Sequence, residues 1–180
     1  MLNRRALLGS ATAFALALGL NAPAFADPDS ALAALQETVL SKGPNGEEPT
    51  APSTVVLSDE EIAKIKEMGA SAAIVMHYGG NDWARAQING LQTQFAAMGI
   101  EVIAITDAGF KPEKQVSDLE TIMAQSPDII VSIPTDPTAT AAAYRAASAA
   151  GAKLVLTDNV PPACGAGTDF VSVVSADNYG

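Results

Sequence analysis

The chain has very few of the residues from which disulfides and catalytic sites are commonly built. Its 180 residues include one cysteine and one histidine, so no disulfide can form within the chain. Cys164 and His77 lie far apart in sequence, and no G-x-S-x-G, HExxH or C-x-x-C motif is present. A catalytic set is therefore not indicated. We expect the chain to have no enzymatic activity and Cys164 to be a partly buried structural thiol.

Phosphate-binding motifs and positive charge are scarce as well. Neither GxGxxG nor GxxxxGK[ST] occurs, and Gly79-Gly80 alone is a weak signal for a phosphate loop. Ten Lys and Arg residues stand against 20 Asp and Glu residues, which gives a formal net charge of -10. A chain with this charge repels nucleic acid and anionic lipid. Neither is an expected partner, and no cofactor or metal is expected.

The N-terminus contains an apolar run that is too short and too interrupted for a membrane span of roughly 20 residues. Arg4 and Arg5 precede the small apolar stretch Ala6–Leu20, and Ala24-Phe25-Ala26 supplies a small-x-small cleavage signal. This order predicts a signal peptide over residues 1–26, cleaved after Ala26, and export to the periplasm. Asn3–Leu8 resembles a twin-arginine signal, which leaves two export routes open.

Residues 27–57 offer little to bury. A weak helical pattern over Ser30–Leu40 is followed by Lys42–Pro52, which is rich in glycine, proline and acid. We interpret this stretch as an extended leader that lies on the surface or is partly disordered. Ser58 and Glu61 then have the spacing of a capping box, which predicts the start of a helix and of a domain over residues 58–180.

The rest of the chain alternates short apolar runs with helical segments at intervals of about 25 residues. Continuous apolar strands separated by helices are typical of a parallel sheet that is covered on both faces. The predicted fold is therefore α/β, a doubly wound parallel sheet in a three-layer α/β/α arrangement. The predicted strands are 72–76, 102–105, 129–133, 154–156 and 170–174, and the predicted helices between them are 83–98, 112–125 and 137–150.

Ligands of open parallel sheets bind at the carboxyl ends of the strands, so the residues that follow each strand are candidates for a site. Carboxylates and amides meet sugar hydroxyls, and an aromatic ring packs on the carbon skeleton, so this mixture predicts a sugar or polyol site. Asp107, Asp136 and Asp158 also have the chemistry of metal ligands, but Asp136 is better explained as a helix cap. The candidate ligand-binding residues are His77, Asn81, Trp83, Asp136, Asp158, Asn159 and Asp177.

Each candidate also has a structural interpretation. Trp83 in a first helical turn is more often a packing residue than a ligand platform. His77 is equally explained as a hydrogen-bonded structural residue, and Asn81 as a helix cap. Asp158 is the hardest to explain in this way, because it follows an apolar strand and has no evident helix to cap.

The segment Ala70–Gly180 resembles the ribose-type periplasmic binding proteins of sugar ABC transporters, which share a fold with LacI-type repressor cores. In that family an asparagine followed by aromatics holds the sugar after the first strand. Asn81 and Trp83 occupy the matching positions, and Ala84 replaces a second aromatic. His77 lines up with a position that often faces the ligand.

Three later turns carry the same resemblance. Pro134-Thr135-Asp136 matches the turn after the third strand, and Ser175–Gly180 is similar to the segment that leads to the second lobe. Asp158-Asn159 stands where the family commonly has Asp-Arg, both of which bind sugar hydroxyls. The aspartate carries over and the arginine does not, which argues against a pentose bound in the ribose orientation.

The resemblance implies the first lobe of a type I clamshell, with the second lobe absent. It implies a monomer that binds a sugar or polyol and delivers it to an ABC transporter permease in the inner membrane. A sensor protein that presents its ligand to a chemoreceptor or histidine kinase is an alternative, and an exported α/β hydrolase fragment is another. A LacI-like repressor is excluded, because a signal peptide stands where a helix-turn-helix would be.

Overall fold

The computed structural model describes residues 27–36, 42–43 and 46–174. The predicted signal peptide and the candidate Asp177 lie outside the described residues. The first described helix, α1 (Pro28–Gln36), belongs to a separate unit at the N-terminus. Its start is capped by Asp27, whose carboxylate accepts hydrogen bonds from the Ser30 amide (3.2 Å) and hydroxyl (2.9 Å). These two bonds lower the pKa of Asp27.

The second unit begins its regular structure with a short 3-10 turn, Pro52–Val55, and helix α2 (Asp59–Met68). Ser58 caps α2 as the sequence predicted. Its hydroxyl accepts from the Glu61 amide at 3.3 Å, and the Glu61 carboxylate accepts from the Ser58 amide at 2.8 Å. The helix ends at Gly69, whose positive φ of 60° leads the chain into the first strand.

Five parallel strands form one sheet in the order β2-β1-β3-β4-β5. The predicted α/β fold is confirmed, with each observed strand and helix within a few residues of its prediction. The strands are β1 (Ser71–Met76), β2 (Glu101–Asp107), β3 (Ile129–Ser132), β4 (Lys153–Thr157) and β5 (Ser172–Val174), and the remaining helices are α3 (Asp82–Ala97), α4 (Pro112–Met123) and α5 (Pro137–Ala149).

Strand β1 is buried along almost its whole length because helices pack on both faces of the sheet. Ala73 and Val75 join a core with side chains from α4 and α5, while Ala72 and Ile74 join a core on the opposite face with side chains from α3. Within the described residues, no helix is both long enough and apolar enough to cross a bilayer.

Cys164 lies in the core beneath α4 and α5, in the loop between β4 and β5. It is a free thiol and is buried, with 5% of its surface exposed, where the sequence predicted partial burial. Phe170, from the same loop, packs into the same core. Burial raises the pKa of Cys164, which favours the protonated and less reactive form of the thiol.

Candidate ligand-binding site

The chain reverses its winding direction beside β1. From β1 it passes through α3 to β2 on one side, and then through α4 to β3 on the other side. The topological switch point, the place where open α/β sheets bind ligands, therefore lies between β1 and β3. The loop after β1 borders it, and the loop after β2 is bonded to that loop through the Phe110 amide and the His77 carbonyl. Met76 and Asp107, the last residues of β1 and β2, are paired partners in the sheet.

Four rings gather at this edge of the sheet, and we call them the aromatic rim: His77, Tyr78, Trp83 and Phe110. The centroid of the His77 imidazole lies 6.3 Å from the Trp83 ring and 5.1 Å from the Phe110 ring, with edge-to-face geometry in both pairs. Tyr78 stacks on Phe110 at 4.7 Å with an interplanar angle of 14°. Trp83 remains 47% exposed and Phe110 58% exposed. The rim is a partly open apolar surface, as a ligand platform requires.

Two carboxylates at the ends of strands, Asp107 and Asp158, act electrostatically on the His77 imidazole. Burial lowers the pKa of His77, while the negative charges of Asp158 and Asp107 oppose that shift more weakly. Nδ1 of His77 is buried and has no hydrogen-bond partner among the described residues. The direction of this shift favours the neutral imidazole, whose ring meets two aromatic rings and the negative charges of Asp107 and Asp158.

The lowered pKa of His77 makes stability depend on pH in a defined direction. The unfolded chain takes up a proton on this histidine at a higher pH than the folded chain, so its contribution to stability is lost on acidification. Because His77 is the chain's one histidine, we expect His77→Gln to flatten the fall in unfolding free energy between about pH 7 and pH 5. Urea titrations of both proteins across this range measure the difference. Parallel pH profiles would contradict the expectation.

Asn81 and Asp136 use side-chain oxygens to cap helices. Asn81 Oδ1 accepts from the Ala84 amide at 2.8 Å, and Asp136 Oδ1 accepts from the amides of Thr138 and Ala139 at 2.8 and 2.9 Å. Both residues thus have the structural role that the sequence indicated. Among the described residues, no group of three or more His, Cys, Asp or Glu side chains is placed to hold a metal ion.

The loop between β3 and α5 is held at the rim from two sides. Asn159 Nδ2 donates to the Pro134 carbonyl at 2.9 Å. On the other side, the fully buried Gln115 of α4 accepts from the Thr135 amide at 2.7 Å and donates to the Ile133 carbonyl at 2.9 Å. Asn159 therefore uses its side-chain amide nitrogen to position a neighbouring loop. The sequence analysis predicted a ligand contact for Asn159 and did not predict this structural role.

Asp158 and Asp107 lie at the ends of β4 and β2. Asp158 has a positive φ of 60°, a conformation in which aspartate is enriched among non-glycine residues, and its amide donates to the Val174 carbonyl of β5 at 3.0 Å. Asp107 Oδ1 accepts from the Gly109 amide at 2.8 Å. A Cβ atom at Gly79 would lie 3.0 Å from Asp107 Oδ2, so glycine allows the first loop to approach this carboxylate.

The sequence-based prediction missed two of the four rim residues, Tyr78 and Phe110. Phe110 is the one that lies far along the chain from the other rim residues. It belongs to the short loop between β2 and α4, outside the motifs that marked the other candidates. A large aromatic directly after Gly109 at the carboxyl end of a strand is the signal that identifies it. Of the predicted residues, the structure brings His77 and Trp83 into the rim and Asp158 close enough to act electrostatically on His77.

A doubly wound lobe with polar and aromatic residues beside its switch point is typical of small-molecule-binding domains, and the comparison with protein families agrees with that class. Residues 72–180, more than half of the chain, match the family described as periplasmic binding protein domain. The chain belongs to this family. The sequence-based assignment to this class is thereby confirmed.

Solved structures of this class share the fold. An ABC transporter solute-binding protein from Agrobacterium vitis, bound with alpha-D-tagatopyranose, is 25% identical with a TM-score of 0.54, over 61% of this chain and 39% of that one. An ABC sugar transporter subunit from Rhodobacter sphaeroides is 23% identical with a TM-score of 0.53, over 62% of this chain and 37% of that one.

A third structure, the Caulobacter myo-inositol binding protein bound to myo-inositol, is 23% identical with a TM-score of 0.51, over 59% of this chain and 35% of that protein. The chain thus spans well under half the length of these proteins. No curated protein sequence matches it significantly.

Proposed function

We propose that the chain is a solute-binding component of an ABC importer and that its rim binds a sugar or polyol. The observation that carries the proposal is the aromatic rim at the switch point, with Asp107 and Asp158 beside His77. The family to which the chain belongs supports a binding role. The structure from Agrobacterium vitis, which carries a bound sugar, supports the ligand class.

The chemistry of such a site divides between the two kinds of side chain. The exposed face of Trp83 offers an apolar surface to the C–H groups of a carbon skeleton, and carboxylates accept hydrogen bonds from its hydroxyls. Binding needs no covalent step, and we propose no enzymatic activity. Delivery to a permease in the inner membrane, and the monomeric state, belong to the same proposal.

The proposal extends to the organisation of the chain. Residues 1–26 act as the cleavable signal peptide that directs the protein to the periplasm, residues 27–57 form the leader, and residues 58–180 form the binding lobe. Within the leader, the described residues contain α1 and the 3-10 turn. N-terminal sequencing of protein recovered from a periplasmic extract tests the cleavage site, and a start other than Asp27 contradicts it.

Trp83 provides a direct test of sugar binding because it is the chain's one tryptophan. We expect its fluorescence to change in a saturable manner with at least one member of a panel of pentoses, hexoses, polyols and deoxysugars. Calorimetry with the same solute should show about tenfold weaker binding for Trp83→Ala, because an aromatic face is lost. Trp83→Phe retains a ring and should bind more tightly than Trp83→Ala.

Substitution of Asp158 tests the polar half of the site, and the same substitution at Asp118, outside the site, is the matched control. Asp158→Asn should weaken binding by about tenfold or more, since a charged acceptor is lost at the rim. Asp118→Asn removes a carboxylate of α4 that pairs with Lys114, and it should leave affinity unchanged. No fluorescence or heat change with any solute would refute the sugar assignment. Equal effects of the two aspartate substitutions would refute the role of Asp158.

A further inference from the structure

Phe110 occupies a backbone position that a large side chain rarely adopts. Gly109 and Phe110 have φ values of 57° and 60°, and the Lys111 amide donates to the Ala108 carbonyl at 3.0 Å. Tight turns with two positive φ values are dominated by glycine, asparagine and aspartate. A phenylalanine here is sterically disfavoured, so the turn alone does not explain why position 110 carries a large aromatic side chain.

The surroundings of Phe110 direct its ring to the rim and not into the core. Its amide donates to the His77 carbonyl at 2.8 Å, which ties the turn to the loop after β1. The ring contacts His77 and stacks on Tyr78, yet most of its surface remains exposed. Core burial therefore does not compensate for the disfavoured backbone conformation.

Phe110 and Trp83 approach the same imidazole from two different loops. Both rings meet His77 edge to face, so one imidazole is shared by two partly exposed aromatic rings. Ala84, the residue at the position of the family's second aromatic, is completely buried and has no ring to offer. The second aromatic surface of this site comes from the loop between β2 and α4.

We propose that Phe110 contacts the ligand and is a specificity-determining residue, which selects cyclic solutes over open-chain polyols. Ring closure gives a sugar or cyclitol a contiguous C–H face that packs on aromatic rings. An open-chain polyol has no fixed apolar face and loses more rotational freedom on binding. This inference rests on the proposed function, because it concerns the same rim.

The experiment compares myo-inositol with sorbitol, which have six carbons and six hydroxyls each but differ in ring closure. Affinities are measured by calorimetry on the whole chain, its Phe110→Gly variant and its Phe110→Tyr variant. Glycine adopts the positive φ without steric cost, so the turn persists while the ring is removed. Tyrosine keeps the ring in place and controls for the substitution itself.

The expected result is preference of the unaltered chain for myo-inositol, a loss of about tenfold for that solute in Phe110→Gly, and little change for sorbitol. Phe110→Tyr should retain the preference. A preference for sorbitol, or a Phe110→Gly variant that binds both solutes as the unaltered chain does, overturns the inference and leaves the proposed function intact. If the unaltered chain binds neither these solutes nor any other of the panel, the proposed function fails and the inference fails with it.

Discussion

Replacing Tyr144 with alanine is expected to lower the free energy of unfolding by about 3–5 kcal/mol, as for other large aromatic side chains removed from a core. Tyr144 projects from α5 and is only 1% exposed, packed among side chains of α4 and the sheet. Truncation leaves a cavity and removes the hydroxyl contact to Ser132 at 2.6 Å. Urea unfolding followed by circular dichroism measures the loss.

Tyr144→Phe is the matched control because it keeps the ring and removes one hydroxyl. The Ser132 hydroxyl proton already points to the Val75 carbonyl at 2.8 Å, so Tyr144 must donate its own proton to Ser132. Burial raises the pKa of Tyr144, which keeps it protonated for this role. Tyr144→Phe should cost only about 1 kcal/mol. A similar cost for both substitutions would contradict the cavity explanation.

Gln115→Leu is expected to lower the unfolding free energy by about 2–6 kcal/mol, since two backbone groups, one buried and one partly buried, lose their partner at about 1–3 kcal/mol each. These groups are the Ile133 carbonyl and the Thr135 amide, which Gln115 bonds from α4. The same substitution should weaken sugar binding, because β3 pairs with β1 in parallel and the loops that follow them share one edge of the sheet. Urea unfolding and calorimetry measure the two effects.

Amide hydrogen exchange at Thr135 separates loss of the bridge from general destabilisation. Protection at Thr135 should fall more than protection at amides of β1, because the substitution acts first on the loop. Gln92→Leu is the control, since Gln92 is exposed on α3 and its replacement removes no buried bond. Unchanged protection at Thr135 in Gln115→Leu would contradict the role given to this bridge.

The features that the sequence predicted well depend on neighbours along the chain. Ser58 bonds Glu61 and Asn81 bonds the Ala84 amide, each across three residues. The apolar runs likewise define the strands, because a strand covered on both faces needs apolar side chains in succession. Such patterns are visible in sequence since a helix turn or a strand fixes which residues are adjacent.

The features that the sequence did not predict join residues that are distant along the chain. The Gln115 bridge spans 20 residues and the Asn159 bond spans 25. Phe110 reaches His77 only because β2 pairs with β1, and the order of parallel strands is not encoded in any one segment. The sequence-based site therefore included His77 and Trp83 but neither Tyr78 nor Phe110.

By itself, the sequence determined the class of this domain. The chain is acidic and poor in cysteine, its apolar strands alternate with capped helices, and polar and aromatic residues follow the strands. Only the tertiary structure decided which of those residues meet. The strand order brings the loops after β1 and β2 together. The physical reason is that periodicity and capping are local, while a site depends on the packing of segments far apart in the chain.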